Sequence, residues 1–135
     1  MSASDLRSDM SKARGLGSAH HGVSHWWWQR VTALALIPLS VWFVYSLVTV
    51  VLSPSVTTTA QWFASPINSI VMVLMLLATF IHAKLGLQVV IEDYVKSPFN
   101  KYALLLLNLF ICVVFASVSI LAVLKLHFLY VSVTM

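Results

Sequence analysis

His82 stands in a stretch that otherwise carries hydrocarbon side chains, and eleven residues after it come Asp93 and Tyr94. The segment reads His82-Ala83-Lys84-Leu85-Gly86-Leu87-Gln88-Val89-Val90-Ile91-Glu92-Asp93-Tyr94-Val95. An imidazole in such a setting can serve as a buried hydrogen-bonding group, as a proton relay, or as an axial haem ligand through a neutral ring nitrogen. A phenol can donate to a quinone carbonyl, and a carboxylate beside it can orient groups or relay a proton. An ionisable residue inside a membrane is costly to bury, which makes His82 a functional candidate from the outset. For the Asp93-Tyr94 pair the plain alternative is an interfacial tyrosine of the aromatic belt and an acid that balances Lys96.

Helical spacing decides which of these residues can act together. At 100° per residue Thr79, His82, Gly86 and Asp93 fall within about 60° of one another, so one helix face carries all four. Asp93 and Tyr94 then lie roughly 16 Å along the axis from His82. Gly86, one turn from His82, either leaves room for a flat ligand against the backbone or lets a neighbouring helix approach. Lys84 lies about 200° round the helix from His82, off that face, and is expected to snorkel toward a membrane surface or pair with a partner subunit. His20, His21 and His25 are assigned to an N-terminal tail and His127 to the far side of the third apolar stretch. A haem held by two histidines would therefore take its second ligand from another chain.

The elements that carry these residues follow from composition. Hydrophobic residues make up 60% of the 135-residue chain against 9% charged, and the mean hydropathy is +0.93; both belong to an integral membrane protein. The expected fold is all-α, a bundle of three transmembrane helices, with spans at about 31–52, 67–91 and 102–124 and a polar tail over residues 1–25 before the membrane anchor of residues 26–135. A helical span needs about 20 apolar residues, and lipid offers no partner to unpaired backbone groups, which rules out isolated strands. Arg7, Lys12, Arg14 and Arg30 precede the first span, Lys96 and Lys101 lie between the second and third, and the 53–66 loop carries no charge. The positive-inside rule puts the N-terminus in the cytoplasm and the C-terminus on the opposite side. The polar start argues against a cleaved secretory signal, and Asp5 and Asp9 argue against a transit peptide. A bacterial inner membrane is thus favoured over the mitochondrial inner membrane.

Other features bound the chemistry. Cys112 is the one cysteine, so no intrachain disulfide or cysteine metal site can form. There is no Gly-rich phosphate loop, Cys-His cluster or Ser-His-Asp set, so the chain is not expected to catalyse a reaction in water by itself. Trp26, Trp27 and Trp28 suit an aromatic belt or the docking of a peripheral subunit, Pro38 is expected to kink the first span, and Asn108 reads as interhelical glue.

The run His82-Ala83 with Gly86, Val90 and Asp93-Tyr94-Val95, on the second of three spans, resembles the small hydrophobic membrane-anchor subunit of succinate dehydrogenase. Gln29-Arg30-Val31-Thr32-Ala33 at the start of the first span is a second point of similarity. The resemblance implies that His82 is an axial ligand of a haem b shared with the larger membrane-anchor subunit, that Tyr94 hydrogen-bonds ubiquinone, and that Asp93 sits in or beside the quinone pocket. It further implies that Arg30 pairs with a haem propionate or lines the quinone site, a role suited to the bidentate guanidinium; a headgroup anchor is the alternative. The implied partners are a flavoprotein subunit carrying FAD, an iron-sulfur subunit carrying clusters, and the larger membrane-anchor subunit with a transmembrane histidine. The chain would then be a non-autonomous subunit of an oxidoreductase passing electrons from succinate to ubiquinone. Two other readings stay open: a structural anchor whose His82 binds no haem, and a transporter or proton-channel subunit using His82, Lys84 and Asp93 as a relay.

Overall fold

The computed structural model describes residue 10, residues 20–52 and residues 55–134. The tail positions Arg7, Lys12 and Arg14 lie outside the described residues. Four helices account for almost all of the rest: α1 (His20–Leu52), α2 (Val56–Ala64), α3 (Pro66–Tyr94) and α4 (Pro98–Thr134). Three of them, over Val23–Val50, Pro66–Tyr94 and Pro98–Ser132, are long and apolar enough to cross a membrane. The chain is a multi-pass membrane protein, all-helical over the described residues.

These helices run further than the charge-free stretches that announce them. Charge marks where side chains leave hydrocarbon, but a backbone can stay helical through the headgroup layer, where long basic side chains reach water from inside a helix. As a result His25, assigned from sequence to a tail, lies on α1, and His127, assigned beyond the third span, lies on α4. Pro66 and Pro98 open α3 and α4 at the position where a missing N–H costs nothing.

The uncharged 53–66 segment, read from sequence as a plain loop, contains α2. Ser55 caps it, with its hydroxyl oxygen accepting from the Thr58 N–H at 3.0 Å. Ser65 ends it, donating its N–H to the Gln61 carbonyl at 3.2 Å. An aromatic column then ties α2 to its neighbours: Trp42 of α1 lies 5.9 Å from Trp62, Trp62 meets Phe63 edge-on at 4.8 Å, and Phe63 stacks on Tyr130 of α4 at 6.3 Å.

Among the long helices α3 is the middle member, packed against α1 on one side and α4 on the other, while over the described residues the backbones of α1 and α4 do not approach each other. Few of the described residues are buried. Leu85, Cys112 and Val123 are the apolar ones, and Thr32, Ser46, Ser69 and Asn108 the polar ones. Small and polar residues at helix crossings are the membrane pattern, because lipid already solvates the large aliphatic groups. Three of these polar residues bond across a crossing. Thr32 contacts His82 at 3.1 Å between α1 and α3. Asn108 Nδ2 donates to the Lys84 carbonyl at 3.0 Å between α4 and α3, the interhelical role expected of it. Ser69 and His127 converge on the Phe63 carbonyl, at 3.2 and 2.9 Å, where α3, α4 and α2 meet.

Candidate functional site

The polar residues of interest line the seam between α1 and α3. His82 is half-buried there, its Nδ1 3.1 Å from the hydroxyl of Thr32, a residue only 5% exposed. The same hydroxyl lies 2.8 Å from the Trp28 carbonyl and 3.2 Å from that of Gln29. Among the described residues no hydrogen bond engages His82 Nε2.

One turn nearer the Tyr94 end of α3, Gly86 faces α1. A Cβ on it would sit 3.6 Å from Gln29 Nε2, an ordinary contact. Gly86 thus stands against α1 with the flexible Gln29 side chain as its neighbour. Gln29 Oε1 and His25 Nε2, one turn apart on α1, are both buried without a hydrogen-bond partner among the described residues. The described part of α1 therefore keeps two uncompensated polar atoms, a costly arrangement unless a further group meets them.

The α1–α3 pair is antiparallel, so opposing residue numbers sum to a near-constant: Thr32 stands with His82 and Gln29 with Gly86. Extending that register brings Arg30 level with Lys84, and Asp93 and Tyr94 level with the first turn of α1. Arg30 is thus about 15 Å along the axis from Tyr94 but only two residues from the His82 level. Its guanidinium lies 5.5 Å from the centre of the Trp26 ring, a cation–π distance.

Asp93 and Tyr94 are exposed at the end of α3, Tyr94 by 82%. Around them Gln88 Nε2 donates to Glu92 Oε1 at 2.8 Å, and Lys101 Nζ donates to the Glu92 carbonyl at 2.9 Å, which ties the start of α4 to the end of α3. Thr79, placed by spacing on the face of His82, is exposed and donates to its own helix at Met75, 2.8 Å away; it does not join His82. Lys84 points elsewhere, lining an apolar groove of about 430 Å³ between Trp28 of α1 and Leu109, Cys112 and Val113 of α4.

Sequence reasoning thus named His82, Gly86, Asp93, Tyr94 and Arg30, quoted Gln29 and Thr32 only within the motif at the start of the first span, and brought His25 no further than the headgroup region near the quinone pocket. Their signal was present in the 3.6-residue spacing, since positions 25, 29 and 32 share one helix face, yet only the register with α3 shows what that face meets. Among the described residues no three His, Cys, Asp or Glu side chains gather as a metal site. What the seam offers is two imidazole nitrogens without a hydrogen bond among the described residues, Nε2 of His82 and Nε2 of His25.

The profile of the succinate dehydrogenase/fumarate reductase transmembrane subunit family matches residues 4–121 of the chain. The succinate dehydrogenase hydrophobic membrane anchor subunit of Rickettsia bellii is 39% identical over 93 residues, covering 68% of this chain and 73% of its own. The protein of the same name from Rickettsia conorii is 32% identical over 111 residues, 82% of this chain and 87% of its own. That of Paracoccus denitrificans is 30% identical over 93 residues, 69% of this chain and 71% of its own. No solved structure matches the chain. Three apolar helices, a polar seam around His82 and a profile match spanning most of the sequence lead to one conclusion: the chain belongs to the succinate dehydrogenase/fumarate reductase transmembrane subunit family.

Proposed function

We propose that this family member is the small anchor subunit of a succinate dehydrogenase, in which His82 Nε2 is an axial ligand of a haem b shared with the larger anchor subunit, and in which Asp93 and Tyr94 contribute to the ubiquinone site. The observation that carries the proposal is the state of His82. Its Nδ1 is held by Thr32 at 3.1 Å, its Nε2 carries no hydrogen bond among the described residues, and the buried unpaired atoms of His25 and Gln29 lie on the same seam. A neutral imidazole oriented through one nitrogen and open at the other is the donor that haem iron takes.

When bound, such a haem would supply a one-electron store within the membrane; the chain supplies its surroundings. His82 would hold the iron from α3, and Arg30, near that level, would pair with a propionate carboxylate. Tyr94, at the helix end, would donate its hydroxyl proton in a hydrogen bond to a quinone carbonyl, with Asp93 beside it to orient the head group or pass on a proton taken from water. The apolar outer faces would bind lipid and the larger anchor subunit, and the Tyr94 end, cytoplasmic by the positive-inside rule, would dock the flavoprotein and iron-sulfur subunits that carry FAD and clusters. The setting is a bacterial inner membrane, and the reaction the transfer of electrons from succinate to ubiquinone in the tricarboxylic acid cycle and respiratory chain.

A relay through His82, Lys84 and Asp93 draws no support from these positions, because His82 bonds α1 while Lys84 lines the groove toward α4. The test is purification through a tag on this chain in mild detergent, with optical spectra of the wild type and of His82→Ala. Recovery of a flavoprotein, an iron-sulfur protein and a second small membrane chain, with a haem b spectrum lost or perturbed in His82→Ala, is the expected result. Copurified partners with no haem, or with haem indifferent to His82, would leave a structural anchor in place of the haem-bearing one.

A further inference from the structure

Thr32 has one hydroxyl proton and three neighbours. Two of them, the carbonyls of Trp28 at 2.8 Å and Gln29 at 3.2 Å, can only accept. The third, His82 Nδ1 at 3.1 Å, can donate or accept according to tautomer. If the hydroxyl proton pointed to Nδ1, the oxygen would be left 2.8 Å from the Trp28 carbonyl oxygen with no proton between them. With the proton on the Trp28 carbonyl, the short backbone contact is a good hydrogen bond, and the hydroxyl lone pair faces the ring. Only an Nδ1–H can satisfy that lone pair. Thr32 is 5% exposed, so water does not offer the hydroxyl another partner, and the β-branched side chain has few rotamers in a helix.

From this proton count we infer that Thr32 is a positioning residue for His82: its oxygen accepts the Nδ1 proton, fixes the ring as the Nδ1–H tautomer, and leaves the lone pair on Nε2. The inference rests on the reading of His82 as haem ligand and adds to it the group that selects the ligating nitrogen. Donation from Nδ1–H to an acceptor raises the basicity of the opposite nitrogen. A more basic ligand favours the oxidised iron, so the Thr32 contact lowers the reduction potential of a haem bound at Nε2. Without the hydroxyl, the buried Nδ1–H loses its acceptor, and the ring must turn or change tautomer to recover one.

The experiment uses the whole complex with its partner subunits, as wild type and as Thr32→Val, Thr32→Ala and Thr32→Ser. Haem content, loss of haem to excess apomyoglobin and the midpoint potential by optical titration are read in each. Thr32→Val keeps the volume and removes the hydroxyl, Thr32→Ala removes both without crowding the seam, and Thr32→Ser keeps the hydroxyl alone. Val and Ala are expected to raise the potential and weaken haem retention about 10- to 100-fold, with Ser close to wild type. Unchanged potential and retention in Val and Ala, or a Ser variant perturbed as much as Val, would overturn the inference while the ligand reading stands. Haem that survives His82→Ala unaltered would overturn both.

Discussion

At the scale of single residues, His82 and Tyr94 illustrate two kinds of readiness. His82 is oriented within the chain, bonded across a helix seam by a residue that water does not reach. Tyr94 is 82% exposed and gains its partner only from outside. Removing its hydroxyl should therefore leave the fold untouched. Tyr94→Phe is expected to slow ubiquinone reduction by about one to two orders of magnitude, the scale of one lost hydrogen bond to a reacting group, while succinate oxidation by an artificial dye continues at the wild-type rate. Parallel assays with quinone and dye check this, and equal loss in both would remove Tyr94 from the quinone site.

At the scale of helices, close approach and sparse hydrogen bonds do the positioning, and both can be tested. The Cβ of Gly86→Ala would make an ordinary contact with Gln29 at 3.6 Å, so that variant should assemble normally; Gly86→Leu must push α1 aside and should cost haem retention. Haem per complex in the two variants separates these outcomes. Asn108→Ala removes the bond to the Lys84 carbonyl and should destabilise the α3–α4 contact by about 1 kcal/mol, as single interhelical hydrogen bonds in membranes do. Denaturation in mixed detergent micelles measures that loss. The three spans were legible in the sequence because lipid forbids charge and unpaired backbone at the same positions, and Asn108 was legible because an amide in such a span must find a partner. The capped helix α2 was not, since a charge-free loop says nothing about the hydroxyl chemistry of Ser55 and Thr58. Thr32 escaped for another reason: its importance depends on which α3 residue stands opposite, and no single-strand pattern encodes an interhelical register.

At the scale of the whole molecule, the described parts of α1 and α4 are joined through α3 and α2, and many large apolar side chains are exposed. Part of that exposure is for lipid, but the buried unpaired atoms of His25 and Gln29 belong to a protein whose inventory of contacts is completed by others. The chain made without its partners should therefore yield a heterogeneous species in detergent, and joint synthesis with the other subunits should restore a single sharp one; size-exclusion profiles of the two preparations compare them directly. A sparse interior also has a cellular consequence. A subunit with few buried residues of its own has little stability that is separable from its assembly, and unassembled copies are open to membrane proteases. Its lifetime in cells is then expected to lengthen with the supply of the other subunits, which a chase of the chain with and without them measures.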